Sequence, residues 1–342
     1  MPDLSSLSLW PTTLIFLAST LAIGIAGWRL SGVADELADR TAMGEVVAGA
    51  LFVGAATSLP GAVTSVSTAA QGAADLAVGN AFGGLTAQTA FIAVADLFYR
   101  RANLEHAAAS PTGLAQGALL ITLLTVPLIA ASAPDWTFWG IHPATLVIPV
   151  TYGFGLRLLG QIQDTPMWNP VQTDETREEI SDIEDKPTGH MRGLWLRFVG
   201  FASITAVAGY TIGESAIGLV ELTPLDGTGV GTIFAGVANS LPELVTAIAA
   251  VRIGAVSLAM GNIIGGNAFE VMFLAAADLV YDGAIYHEID ATQRGTALIA
   301  MTMTGVLLLG MLRRQKHGPG NIGFESVIVL GLYCLSVALV IL

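Results

Sequence analysis

Cysteine, charge and catalytic motifs are all scarce in this chain, and each scarcity closes off a class of protein. Cys334 is the single cysteine among 342 residues, so neither an internal disulfide nor a thiolate metal centre is available. Charged residues make up only 12% of the sequence, about half the share of an ordinary soluble domain. Too few amphipathic helices remain to cover a large water-soluble body. Only 14 residues are Lys or Arg against 27 Asp or Glu, a net charge of −13, and no nucleic-acid partner is expected. At membrane depth no Ser/Lys, His-Glu-x-x-His or paired-Asp arrangement occurs, so no catalytic residue and no cofactor is expected.

What the chain has instead is apolar length. Hydrophobic residues account for 53% of it, and its mean hydropathy is +0.68. Stretches long enough to cross a bilayer lie at roughly 11–30, 44–70, 75–98, 113–132, 141–160, 194–213, 228–251, 255–281, 293–312 and 322–341. The expectation is an all-α polytopic membrane protein with ten transmembrane helices. The second, third, seventh and eighth stretches are rich in Gly, Ala, Ser and Thr, the composition of closely packed membrane helices. Met1-Pro-Asp-Leu-Ser-Ser carries no basic residue, so the first stretch is read as a retained span and not a signal peptide. With the N-terminus outside, 13 of the 14 Lys and Arg fall on the cytoplasmic side and only Arg294 lies outside. That asymmetry predicts a multi-pass cell-membrane protein with both termini outside.

The sequence also repeats. One constant offset in numbering, without a gap, carries Ser58-Leu-Pro60 onto Ser240-Leu-Pro242, Thr64 onto Thr246, and Gly79-Asn80 onto Gly261-Asn262. The same offset carries Gly83-Gly84 onto Gly265-Gly266, Asp96 onto Asp278 and Tyr99 onto Tyr281. The chain therefore reads as two five-helix units, 1–160 and 194–342, joined by an acidic cytoplasmic linker at 161–193. Within the linker, Thr173 to Ile183 is compatible with a short helix. An odd number of spans per unit makes the two copies cross the membrane in opposite directions, as inverted repeats, with a substrate site where they meet.

Two carboxylates lie where the bilayer makes charge expensive. Glu243 follows Pro242, and Glu270 follows Gly261-Asn-Ile-Ile-Gly-Gly-Asn267. Ionisable residues at such depth mark ion or substrate paths. Pro60 and Pro242 deprive the carbonyls of Ala56 and Ala238 of their helical donors, and freed carbonyls are hard oxygen ligands. Thr57, Ser58, Asn239 and Ser240 add side-chain oxygens at the same depth. An oxygen-only set with two carboxylates suits Na⁺ or Ca²⁺. Gly266, one turn before Glu270, is expected to admit a neighbouring backbone. Asp96 and Asp278 sit near span ends and read as interfacial or loop-bonded residues. Asp75 is placed at the external mouth, and His287-Glu288-x-Asp290 in a solvated loop.

At these residues the sequence resembles the cation/Ca²⁺ exchanger superfamily, nearest to its sodium/calcium exchanger branch. The signatures are Asn239-Ser-Leu-Pro-Glu243 and Gly261-Asn262 through Gly265-Gly266-Asn267 to Glu270. Their first-half counterparts are Thr57-Ser-Leu-Pro-Gly61 and Gly79-Asn80 through Gly83-Gly84 to Gln88. The resemblance implies ten spans, alternating access, and ion ligands on the second, third, seventh and eighth spans. It also implies that the first and sixth spans slide against the rest. It adds Gln88 to the candidate ligands, at the place of the family's first-repeat amide. Gly61 stands where the family carries a glutamate. Two carboxylates balance one Ca²⁺, two Na⁺ or two H⁺, and a third monovalent ion would lie uncompensated in a low-dielectric cavity. The expected function is antiport of Na⁺ (or H⁺) against Ca²⁺ or another divalent cation, without the family's usual three-for-one charge movement. Two alternatives stay open, a Ca²⁺-independent monovalent cation/H⁺ antiporter and an ion-binding membrane module that does not transport. The expected partners are inorganic cations and the lipid bilayer.

Overall fold

A computed structural model describes residues 7–40, 54–99, 101–134, 136–138, 141–173, 191–318 and 322–342. Apart from one β-bridge between Phe138 and Ile141, these residues form helices and their connections. The helices are α1 (Leu9–Arg40), α2 (Leu59–Ala70), α3 (Ala74–Asp96), α4 (Leu104–Ala107), α5 (Pro111–Ala130) and α6 (Ala144–Asp164). The second half contributes α7 (Met191–Leu222), α8 (Gly227–Asn239), α9 (Leu241–Ile253), α10 (Val256–Asp278), α11 (Ala291–Arg313) and α12 (Phe324–Ile341).

Eight of these helices are long and apolar enough to cross a membrane, and α8 with α9 forms a ninth, bent by 42°. The second expected stretch, 44–70, falls partly outside the described residues; its described remainder is a helical turn at Ala55–Thr57 followed by α2. Of the linker segment compatible with a short helix, Thr173 to Ile183, all but Thr173 lies outside them. Helix reaches into both ends of the expected linker, since α6 runs to Asp164 and α7 starts at Met191. The outer faces of α1, α6 and α7 expose Leu14, Leu17, Leu21, Val150, Phe154, Val199 and Val207. A contiguous apolar band of that kind belongs against lipid.

Within this shell, α3 is buried on almost every side. Its glycines let another helix lie directly on its backbone. A Cβ on Gly83 would lie 2.3 Å from the Thr232 carbonyl oxygen, and one on Gly236 would lie 2.7 Å from the Gly84 nitrogen. Small residues at a four-residue spacing thus bring α3 and α8 closer than side-chain packing allows. Facing α3, residues Val230–Ala235 of α8 form a π-helical stretch, an irregularity frequent at functional sites.

The two longest helices, α1 and α7, have 32 residues each and span about 48 Å at 1.5 Å per residue. They pack chiefly against each other, and Ser19 Oγ meets Thr211 Oγ1 at 2.7 Å between them. Each also presses a glycine onto the proline break of the opposite half. A Cβ on Gly27 would lie 2.4 Å from Pro242 Cγ, and one on Gly209 would lie 2.3 Å from the Pro60 carbonyl oxygen. Gly27 and Gly209 are related by the same repeat offset as Pro60 and Pro242.

The same reciprocity holds where the spans end. Asp96 Oδ1 accepts from the Leu104 N–H at 2.8 Å, while its Oδ2 accepts from the Gly323 N–H at 3.1 Å and from Ser326 Oγ at 2.8 Å. Asp278 Oδ1 accepts from the Ile285 N–H at 3.0 Å, and its Oδ2 from the His142 N–H at 3.3 Å and from the Thr145 hydroxyl. Each aspartate ties the end of its span to the start of a helix in the other half. Both are structural fasteners, in keeping with the loop-bonded reading. Asp290 is committed to a capping box with Gln293 at the start of α11, and Glu288 is exposed.

Candidate cation site

The site lies where the two proline breaks meet. Ser58 and Ser240, the residues at which the helices interrupt, have nearly the same backbone angles, φ −83° and ψ −3° against φ −92° and ψ 3°. Proline two residues later cannot donate into the preceding turn, so the chain restarts as a new helix with Pro near its first position. Side chains just before and just after each break are thereby aimed inward. Thr57, Ser58, Asn239, Ser240 and Glu243 are all buried, as are Gln88 of α3 and Glu270 of α10.

At the centre, Gln88 Nε2 donates to Glu270 Oε1 at 2.5 Å and to Ser240 Oγ at 3.3 Å. Gln88 and Glu270 are repeat mates, related by the common offset. So are Leu85 and Asn267, whose carbonyl and amide meet at 3.5 Å. The two halves thus meet here through residues that are one another's equivalents in the repeat. The glycines explain the room for this pairing. A Cβ on Gly84 would lie 2.8 Å from Glu270 Oε2, and one on Gly266 would lie 3.5 Å from Gln88 Oε1. Gly266 therefore admits a side chain and not the backbone expected there; close backbone contact occurs at Gly83 and Gly236 instead.

Glu243 is near enough to Glu270 for their charges to repel, and it faces Thr57. The Thr57 hydroxyl itself donates to the Gly54 carbonyl at 3.2 Å. Asn239 spends its amide hydrogens on Thr64 Oγ1 at 3.0 Å and Asn80 Oδ1 at 2.8 Å. Asn80 in turn donates to the Gly61 carbonyl at 3.1 Å and to Ser65 Oγ at 2.8 Å. Asn80 and Thr64 are thus the positioning residues behind Asn239. Their recurrence in the repeat was the sequence signal that could have nominated them.

The oxygens left over define the chemistry. The Glu243 carboxylate beyond its contact with Thr57, Oε2 of Glu270, Oε1 of Gln88, Oδ1 of Asn239 and Oγ of Ser58 are buried without a hydrogen-bond donor in place. Buried acceptors without donors are rare because each forfeits its hydration. Acceptors of this kind on five residues, two of them carboxylates, form an electronegative centre suited to a dehydrated hard cation. With Glu243 and Glu270 only 1% and 3% exposed, the site is occluded from bulk solvent. Two apolar cavities among the described residues lie elsewhere, around Leu114 and Trp168.

A helical membrane fold with buried oxygens gathered at two proline breaks is the arrangement found in ion-coupled secondary transporters. The chain belongs to the sodium/calcium exchanger protein family, whose pattern matches residues 11–156 and 193–342. Its resemblance to the cation/Ca²⁺ exchanger superfamily is thus established, and this is a family of transporters and not of enzymes. The chain is similar to the inner membrane protein YrbG of Escherichia coli strain K12, with 25% identity over 312 residues, 90% of this chain and 91% of that one. Among solved structures it is similar to the H⁺/Ca²⁺ exchanger CAX, with a TM-score of 0.67 at 15% identity over 97% of this chain and 82% of that one. It is also similar to the sodium–calcium exchanger NCX_Mj, with a TM-score of 0.59 at 16% identity over 97% and 99% of the two chains. At those identities the structural likeness shows the fold.

Proposed function

We propose that this protein exchanges Na⁺ or H⁺ for Ca²⁺ (or another divalent cation) by alternating access, at a site whose only carboxylates among the described residues are Glu243 and Glu270. The observation that carries the reading is the set of buried oxygens on Glu243, Glu270, Asn239, Gln88 and Ser58. Thr57 and Ser240 complete the shell. Ten spans in two inverted repeats, with both termini outside, supply the architecture. The reciprocal contacts of Gly27 with Pro242 and of Gly209 with Pro60 support the inverted arrangement. α1 and α7 meet these prolines through glycine, a smooth contact that suits two helices sliding past the site to expose it on alternate sides.

Charge balance makes the exchange electroneutral. Two carboxylates offset one divalent ion or two monovalent ions, and an extra unpaired charge in a desolvated site costs several kcal/mol. The test is ⁴⁵Ca²⁺ uptake into proteoliposomes loaded with Na⁺, with Na⁺-free and pH-gradient controls and Glu243→Gln beside the wild type. Uptake that requires internal Na⁺ or an imposed pH gradient, is insensitive to membrane potential and vanishes in the variant supports the reading. Uptake that follows the membrane potential would refute electroneutrality. No Ca²⁺ uptake under any gradient would refute the divalent substrate and leave monovalent exchange to be sought in Ca²⁺-free medium.

A further inference from the structure

Gly61 is the repeat mate of Glu243, at the position in the first half that the carboxylate holds in the second. A bare glycine there would leave either a wet void or space for a further ligand. The structure shows neither. A Cβ on Gly61 would lie 2.9 Å from Cε2 and 3.5 Å from Cζ of Phe273, and 3.7 Å from Cβ of Asn239. The first distance is well inside the 3.5–4.0 Å at which packed carbons rest. While the ring holds its place, no side chain fits at position 61.

Phe273 reaches this point from α10, one turn after Glu270 and so on the same face. It is 2% exposed. Its ring meets Phe269 edge to face, with centroids 6.1 Å apart and planes at 84°, a favoured aromatic geometry that holds its orientation. Its repeat mate, Phe91, is only partly buried. The two phenylalanines are equivalent in sequence and unequal in placement, and the fully buried one is the one that lies against a glycine.

We infer that Phe273 is a specificity-determining residue: its ring fills the volume a carboxylate at position 61 would need and so holds the cation site at two negative charges. This deepens the two-carboxylate reading above and rests on it. Phe273 touches no cation; it acts by excluding a ligand and the water that would accompany one. Cargo is thereby restricted to loads of two positive charges.

The test is equilibrium binding of ⁴⁵Ca²⁺ to purified protein in detergent, which requires no transport. Gly61→Glu/Phe273→Ala supplies both the acid and its room, and should bind Ca²⁺ at least roughly tenfold tighter than wild type, since affinity follows the number of charged ligands. Gly61→Gln/Phe273→Ala makes the same room without charge and should show no such gain. Gly61→Glu alone should bind no tighter than wild type, because the ring blocks the site. An equal gain in Gly61→Glu alone would overturn the inference, since Phe273 would then move aside as freely as its mate. A folded double variant with wild-type affinity would overturn it as well. Gly61→Asp/Phe273→Leu, a smaller change in volume, carries the same reading if the first pair does not purify as a monodisperse protein. Failure of both pairs to fold would count against the inference, because removing the ring would not have made room. If wild type shows no Ca²⁺ exchange in liposomes, the transport reading fails while the binding comparison still decides the role of Phe273.

Discussion

Replacing Gln88 with Leu removes the neutral partner of the central carboxylate while nearly preserving side-chain volume. In the structure Gln88 Nε2 donates to Glu270 Oε1 at 2.5 Å and to Ser240 Oγ at 3.3 Å. The first is a hydrogen bond to a charged group, worth about 1.5–3 kcal/mol. The second is long and adds little. Gln88 Oε1, which accepts nothing within the protein and is a ligand on the function proposed above, is removed at the same time. Groups that orient metal-binding carboxylates typically account for about 10- to 100-fold in affinity, the same range as the hydrogen-bond figure at about 1.4 kcal/mol per factor of ten. The half-saturating Ca²⁺ concentration for uptake into Na⁺-loaded proteoliposomes should therefore rise by one to two orders of magnitude, and direct ⁴⁵Ca²⁺ binding should weaken in parallel. Gln88→Asn keeps the amide but shortens its reach by one methylene and should fall between the two. A folded Gln88→Leu protein with unchanged half-saturation in both assays would refute the placement of Gln88 in the site.

Gly209→Ala would place its new carbon 2.3 Å from the Pro60 carbonyl oxygen, a backbone atom, and Gly27→Ala would place its own 2.4 Å from a proline ring. Each should lower stability by about 1–3 kcal/mol and slow uptake, whereas Gly200→Ala, which meets nothing within 4 Å, should leave both unchanged; equal behaviour of all three would sink the packing argument. Asp96→Ala orphans the donors of Leu104, Gly323 and Ser326 and should cost roughly 3 kcal/mol or more, with Ca²⁺ affinity of the folded fraction unaltered; a shift in affinity would make Asp96 part of the site. Glu105, on the short α4 outside the spans, has its carboxyl raised from 4.5 to about 8, first by burial and then by the charges of Asp96 and Glu325. The folded protein therefore holds a proton that the unfolded chain releases, so stability falls as pH rises from about 4.5 to about 8. Glu105→Gln should flatten the decline in melting temperature across that window, and parallel curves for the two proteins would refute the assignment.

Much of the plan was legible in the residues because bilayer chemistry leaves few options. Apolar stretches long enough to span, an ungapped internal repeat and two isolated glutamates pointed to a membrane transporter and nominated the spans for its site. The prolines announced the breaks, since a ring without an N–H cannot continue the ladder. The α1 and α7 helices outrun their apolar segments, and in α1 the addition includes Ala34–Arg40, whose polar sequence is itself compatible with helix. Gly27 and Gly209 were within reach of the same repeat offset, yet their significance depends on the proline each one faces.

The sequence alone determined class and repeat and nominated the candidate ligands, for these follow from local composition and from matching one half of the chain against the other. Only the tertiary structure decided which equivalent residues meet. It paired Gln88 with Glu270, set Asn80 and Thr64 behind Asn239, turned Asp96 and Asp278 into fasteners between the halves, and laid Phe273 across Gly61. Those outcomes depend on distances between residues far apart in the chain, and spacing along a sequence carries no information about which ring fills a given space.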